Sequence, residues 1–103
     1  MNTFDAAYAL DVIEHVDPVR SNRFIDTMGD IAPVVIIGTP SLESQQYASK
    51  LSREGHVNCM SGETLQHALL CRFKHVFMFS MNDETLHTGF LPMAHYLLAL
   101  CVR

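Results

Sequence analysis

The sequence predicts an α/β fold in which short buried strands alternate with helices, and three stretches predict it. Phe4 to Leu10 is a brief run of small and apolar residues followed almost at once by a helix start. Val34-Val35-Ile36-Ile37 places four consecutive β-branched residues between the breakers Pro33 and Gly38. Apolar runs of this length without alternation read as strands buried on both faces. Between them, Phe24, Ile25 and Met28 recur at the three-and-four spacing of one helix face. Strand, helix and strand joined by short links make a right-handed parallel crossover.

Taken in order, Asp17 caps the first helix and Pro18 suits its first position, where a missing N–H costs nothing. That helix is expected to reach about Met28, with Arg20, Asn22, Arg23 and Asp26 in water and Gly29 ending it. After the second strand, Ser41 caps a short helix from Leu42 to about Leu51 whose apolar contacts are Tyr47 and Leu51. Gly55-His56-Val57-Asn58 interrupts it. A third helix starts at Ser61, with Glu63 in the first turn where the helix dipole favours an anion. Its buried stripe is Leu65, Ala68, Leu69, the stem of Arg72 and Phe73. His75 to Ser80 reads as an aromatic strand, Asn82-Asp83-Glu84 as a turn, and Thr88 to Pro92 as a loop. His95 to Val102 is the last strand.

A chain of 103 residues makes one domain, and at this size folding hides about two thirds of the extended chain's surface. Hydrophobic residues are 49% and charged residues 17%, so disorder is excluded and apolar surface awaiting a partner is expected. Eleven acids against seven bases leave a net charge of −4 with no basic cluster. On that ground nucleic acid is excluded as a partner. Cys59, Cys71 and Cys101 are odd in number and form no Cys-x-x-Cys, which reads as reduced thiols, with Cys71 and Cys101 in the core. No apolar run is long enough to cross a bilayer, Asp5 interrupts the N-terminal apolar stretch, and a cytoplasmic protein is expected.

In open α/β sheets ligands collect beyond the carboxyl ends of the strands. Asp11, Glu14 and His15 follow the first strand directly and mark the expected site. The pattern Phe4-Asp5-x-x-x-x-x-Asp11-Val12-Ile13-Glu14-His15-Val16 resembles the fourth strand and following loop of class I S-adenosylmethionine-dependent methyltransferases. Within that family it is most similar to the small-molecule branch that includes the ubiquinone-type O-methyltransferases. Thr39-Pro40 resembles the end of the family's fifth strand, and Gly55-His56-x-Asn58 an element of its acceptor pocket.

The resemblance implies a partial Rossmann-like sheet of about four strands, in the family order fourth, fifth, seventh, sixth, with flanking helices. Residues 1–103 would be a single truncated domain, the C-terminal half of the family's fold. S-adenosylmethionine is the implied cofactor, but the glycine-rich loop and the ribose-binding acid lie upstream of the matched strand. The cofactor site is therefore expected to be incomplete and the isolated chain inactive. Methyl transfer is an in-line displacement in which the protein positions the acceptor and removes its proton. Near-neutral histidines suit that task. The implied catalytic residues are His15, His56 and Glu14, and the implied cofactor-binding residues Leu10 and Asp11.

The implied partners are a small-molecule methyl acceptor and a second copy of the chain paired through the exposed edge of the opening strand, with neither nucleic acid nor membrane. A non-catalytic homodimerising or interaction module derived from the fold is the alternative. Asp11-x-x-Glu14-His15, with His56 later, also resembles the pattern of RNA 3′-end methyltransferases, where two acids and two histidines hold a divalent ion. Here Asp11 is shorter than that family's glutamate, and its aromatic and basic residues around the second histidine are absent, so no metal ligand is assigned from sequence.

Overall fold

A computed structural model describes residues 3–83 and 85–103; Glu84, part of the expected turn, lies outside them. The chain runs β1 (Ala6–Leu10), α1 (Ser21–Ile31), β2 (Val34–Pro40), α2 (Lys50–Gly55), α3 (Gly62–Leu70), β3 (His75–Asn82), β4 (Thr85–His87) and β5 (Tyr96–Val102). One mixed sheet has the order β1-β2-β5-β3-β4. β1 and β2 are parallel, with Ala6 opposite Val34 and Leu10 opposite Gly38. β5 lies antiparallel between β2 and β3. This is the strand order implied by the resemblance, with one addition. β4, only three residues and exposed throughout, hairpins back on the end of β3.

The register sorts the side chains onto two faces. Ala9, Ile37, Ala99 and Met78 share one face, where Ile25 and Met28 of α1 and Leu65 and Leu69 of α3 complete the core. Tyr8, Ile36, Leu100 and Phe77 share the other. Among the described residues no helix covers that second face, and Tyr8 is 72% and Phe77 52% exposed. The expectation that β1 and β2 are buried on both sides is therefore corrected: β1 is exposed on its second face, and β2 alternates between buried and half-buried residues up to Ile37. An unbroken apolar run cannot reveal this, because it suits a strand with either one or two covered faces.

Other differences are local. α1 is preceded by a 3-10 turn over Pro18–Arg20, with Asp17 accepting a hydrogen bond from the Val19 amide. It passes through Gly29 and stops at Ile31 because Ala32, preceding Pro33, must be extended (φ −153°, ψ 147°). Gly29 is used for close approach: a Cβ there would lie 2.8 Å from the guanidinium carbon of Arg72, which itself pairs with Asp30 at 2.9 Å.

The expected helix from Leu42 divides into a 3-10 turn, Glu43–Tyr47, and α2, and both Tyr47 and Leu51 are exposed rather than packed. Ser61 caps α3 through the Thr64 amide as expected, and Leu65, Leu69 and Phe73 are buried. Cys71, one residue beyond that helix, turns outward and is exposed, whereas Cys101 is in the core. Burial pushes the Cys101 thiol up to about 12. No helix among the described residues is long and apolar enough to cross a membrane.

Candidate metal centre

At the carboxyl end of β1 the chain reverses sharply. The Asp11 amide makes one more ladder-like hydrogen bond, to Gly38 O at 2.9 Å, and Asp11 then adopts a left-handed conformation (φ 59°), which Asp tolerates better than most residues. The reversal leads into a 3-10 turn, Ile13–His15. Ile13 is buried in the core and anchors the turn. Glu14 is carried under β2, where it is only 1% exposed. A buried carboxylate requires partners. Glu14 Oε1 accepts a hydrogen bond from Thr39 Oγ at 2.9 Å, and Thr39 points to the same covered face as Ile37.

The segment after α2 closes over this turn. The Asn58 amide donates to Glu14 O at 3.0 Å, and the Asn58 side chain donates to Ile13 O and Ser21 Oγ. Met60 forms a parallel bridge with Ser41, and the Ser41 hydroxyl donates to Ala94 O. These bonds tie the end of β2, the approach to β5 and the segment around His56 together. His15 and His56, 41 positions apart in sequence, are thereby held edge-to-face with ring centroids 5.0 Å apart.

Each imidazole has one nitrogen already engaged. His15 Nδ1 is 2.7 Å from Gly55 O, a carbonyl freed at the end of α2, and His56 Nδ1 is 2.8 Å from Gln45 Oε1. Both acceptors lack a proton, so each Nδ1 is the donor and each neutral ring keeps its lone pair on Nε2. This fixing of the tautomer by a second hydrogen bond is how metal-binding histidines are oriented. His15 Nε2 faces Glu14 Oε2 at 3.7 Å, beyond hydrogen-bonding distance. Ligand atoms of Glu14, His15 and His56 all lie within 4.8 Å of one another. One carboxylate and two imidazoles at this spacing fit a divalent ion of the zinc, manganese or magnesium kind.

Asp11 is not part of this group. It projects on the uncovered side, beside Leu10 and Tyr96, on an open groove of about 520 Å³ that Met81, Asp83, His95 and Leu98 also line. Burial, and after it a hydrogen bond with the Asp11 carboxylate, raises the Tyr96 phenol well above its ordinary range. Burial, and after it the charge of Glu14, likewise raises the thiol of nearby Cys59.

Of the five residues expected to form the site, three converge and two, Leu10 and Asp11, face a separate groove. Thr39 and Gln45 were not singled out for chemistry, and Asn58 was named only as part of the acceptor-pocket element. Thr39 carried a readable signal, a polar residue in phase with the buried Ile37; Gln45 carried none.

No protein family model matches the sequence, and no curated protein matches it. A search of solved structures finds the crystal structure of the small RNA methyltransferase HEN1, with a TM-score of 0.75 over 99% of this chain at 17% sequence identity. The fold is methyltransferase-like. The chain spans 14% of the length of that HEN1 chain. The likeness supports a methyltransferase fold and does not select the ubiquinone-type branch. It also corrects the expected partners, a small-molecule acceptor and a second copy with nucleic acid excluded. A protein with this fold acts on RNA, and the net charge of −4 was no ground for excluding one. Net charge bears on electrostatic gripping of the phosphate backbone and does not by itself decide whether RNA is bound.

Proposed function

We propose that this chain supplies the acceptor side of an S-adenosylmethionine-dependent methyltransferase site acting at the 3′ end of an RNA, with Glu14, His15 and His56 holding a divalent ion. The observation that carries the reading is the convergence of these three side chains, each already oriented by a second partner: Thr39, Gly55 O and Gln45 respectively. The fold similarity to a small RNA methyltransferase supports the choice of acceptor.

When bound, the ion supplies Lewis acidity toward an acceptor hydroxyl. The protein's own contribution is positional. Thr39 holds one carboxylate oxygen of Glu14 and leaves the other toward the histidines. Gly55 O and Gln45 Oε1 fix the tautomer in which each neutral ring carries its lone pair on Nε2. This recasts the roles first expected for His15 and His56, because a lone pair given to an ion is not available to take a proton. His15 is exposed on the solvent side, so the acceptor can enter there. Leu10 and Asp11 are proposed to contact the cofactor in the groove on the opposite side of β1. His95 borders both that groove and the cavity beside His56, so the two compartments meet at the tip of the sheet. No Gly-x-Gly occurs in the 103 residues, and we expect no turnover from these residues alone.

Titration of the chain with manganese, followed by calorimetry and electron paramagnetic resonance, tests the reading without requiring turnover. One ion per chain is expected, with affinity reduced about 10-fold or more in Glu14→Gln and in His56→Ala and unchanged in Asp11→Asn. Failure to bind manganese at millimolar concentration, or equal affinity in all variants, would refute it.

A further inference from the structure

Beside the three-residue centre lies a second feature that metal binding leaves unexplained. An open cavity of about 490 Å³ extends from His56 across the ends of β2 and β5, within the range of ligand pockets, about 300–1,000 Å³. Its walls are Pro40, Gln45, Tyr47, Ser52, His56 and His95, with small residues between. None of its lining residues is Lys, Arg, Asp or Glu. Tyr47 is 77% exposed, and its ring stands 6.4 Å from that of His95, tilted by 55°.

We propose that this cavity seats the terminal nucleobase of the RNA acceptor, with Tyr47 as the ring on which the base stacks. The inference rests on the functional reading above and deepens it. With no Lys, Arg, Asp or Glu in its wall, the cavity suits an uncharged occupant better than a phosphate. Its flat elements, Tyr47, His95 and Pro40, favour a planar occupant. The shared His56 places that occupant next to the ion that would receive the acceptor hydroxyls.

A terminal nucleoside has this arrangement: a neutral planar base at one end and adjacent sugar hydroxyls at the other. Unpaired RNA ends are commonly bound by stacking on aromatic rings. Tyr47 also gains an explanation, since it was expected to pack inside a helix and instead presents its face to solvent in a turn followed by Ala48. Stacking on a phenol tolerates every base, so little preference for the identity of the last nucleotide is expected. Ser52 and Gln45 are the polar groups available to the base edge, and Gln45 already accepts from His56.

The test uses the 103-residue chain with manganese and a short oligoribonucleotide carrying 2-aminopurine as its 3′-terminal base. Quenching of the 2-aminopurine on binding is expected, dependent on manganese. Tyr47→Phe should keep both quenching and affinity. Tyr47→Ala should lose the quenching and weaken binding by about tenfold or more. Tyr8→Ala, an equally exposed tyrosine on the uncovered sheet face, serves as the control and should behave as wild type. If wild type binds manganese and the oligonucleotide but Tyr47→Ala matches it in affinity and quenching, the stacking assignment is overturned while the metal centre stands. If wild type binds no manganese, the functional reading and this inference fall together. A manganese-loaded chain that leaves the oligonucleotide unquenched overturns the inference alone.

Discussion

On the helix-covered face of the sheet, Val35, Ile37, Ala99, Cys101 and Leu97 are each nearly or wholly buried beneath α1 and α3. On the opposite face, Tyr8, Leu10, Ile36, Leu100 and Phe77 are equally apolar yet half-buried or exposed. The two faces alternate along the same strands, so hydrophobicity alone did not decide which is covered. The two candidate sites divide along the same line. Glu14 and Thr39 belong to the covered side, where a buried carboxylate is held in one geometry by a hydrogen bond in a low-dielectric setting. Leu10, Asp11 and Tyr96 belong to the uncovered side, where the groove is wide and its charged group meets water. Glu14, the buried member of the candidate ion site, thus sits where packing is tight, and the open groove where it is loose.

The largest expected effect that would break this comparison is in stability. Leu69→Ala empties a fully buried position under the covered face and should cost about 2–5 kcal/mol. Phe77→Ala on the uncovered face should change stability by roughly 0.5 kcal/mol or less, in the range of surface substitutions. Urea denaturation of both variants reads the difference, and similar losses would mean that the second face is covered in solution.

Next is the metal site. Thr39→Val preserves the shape of β2 but removes the donor to Glu14, and should weaken manganese binding about 10-fold or more while costing about 1–3 kcal/mol of stability. Tyr96→Phe, its counterpart across the sheet, should leave manganese affinity unaltered. Equal effects of the two substitutions would erase the distinction between the sides.

The smallest expected effect is a pH dependence. The Cys101 thiol, on the covered face, is raised from 9.0 to about 12 by burial. A raised pKa means that the folded chain keeps a proton the unfolded chain releases, so stability falls as pH rises. The thiol's contribution is complete below pH 9 and is lost progressively toward pH 12. Cys101→Ala should flatten the denaturation midpoint across that window. Tyr96 adds a loss of the same sign, its phenol raised by burial and then by Asp11, and Tyr96→Phe removes that part.

Much of the fold was legible because the relevant signals are local. Val34 to Ile37 announced a strand through β-branching, Asp17-Pro18 and Ser61 marked helix starts, and Pro33 set the end of α1 more firmly than Gly29 did. The segment from Ser41 to Asn58 was not legible, since its 3-10 turn and six-residue helix have neither a repeating stripe nor a core contact of their own. They are held by bonds to distant partners, such as Asn58 to Ile13 O and Ser41 to Ala94 O. At the site, Glu14 and His15 were visible because a strand end precedes them. Their orientation was not, since Gly55 and Thr39 meet them only across the fold.

Residue order and spacing determined the sheet: which runs become strands, that the first two are parallel, and that acids and histidines gather at their carboxyl end. Those outcomes depend on backbone preference and on hydrophobic period, both properties of neighbouring residues. Only the tertiary structure decided that one sheet face is covered and the other open, that Asp11 and Glu14 part to opposite sides, and that His56 comes to rest against His15. Each of these depends on which surface a helix or loop closes upon, and so on contacts between segments tens of residues apart that no local pattern records.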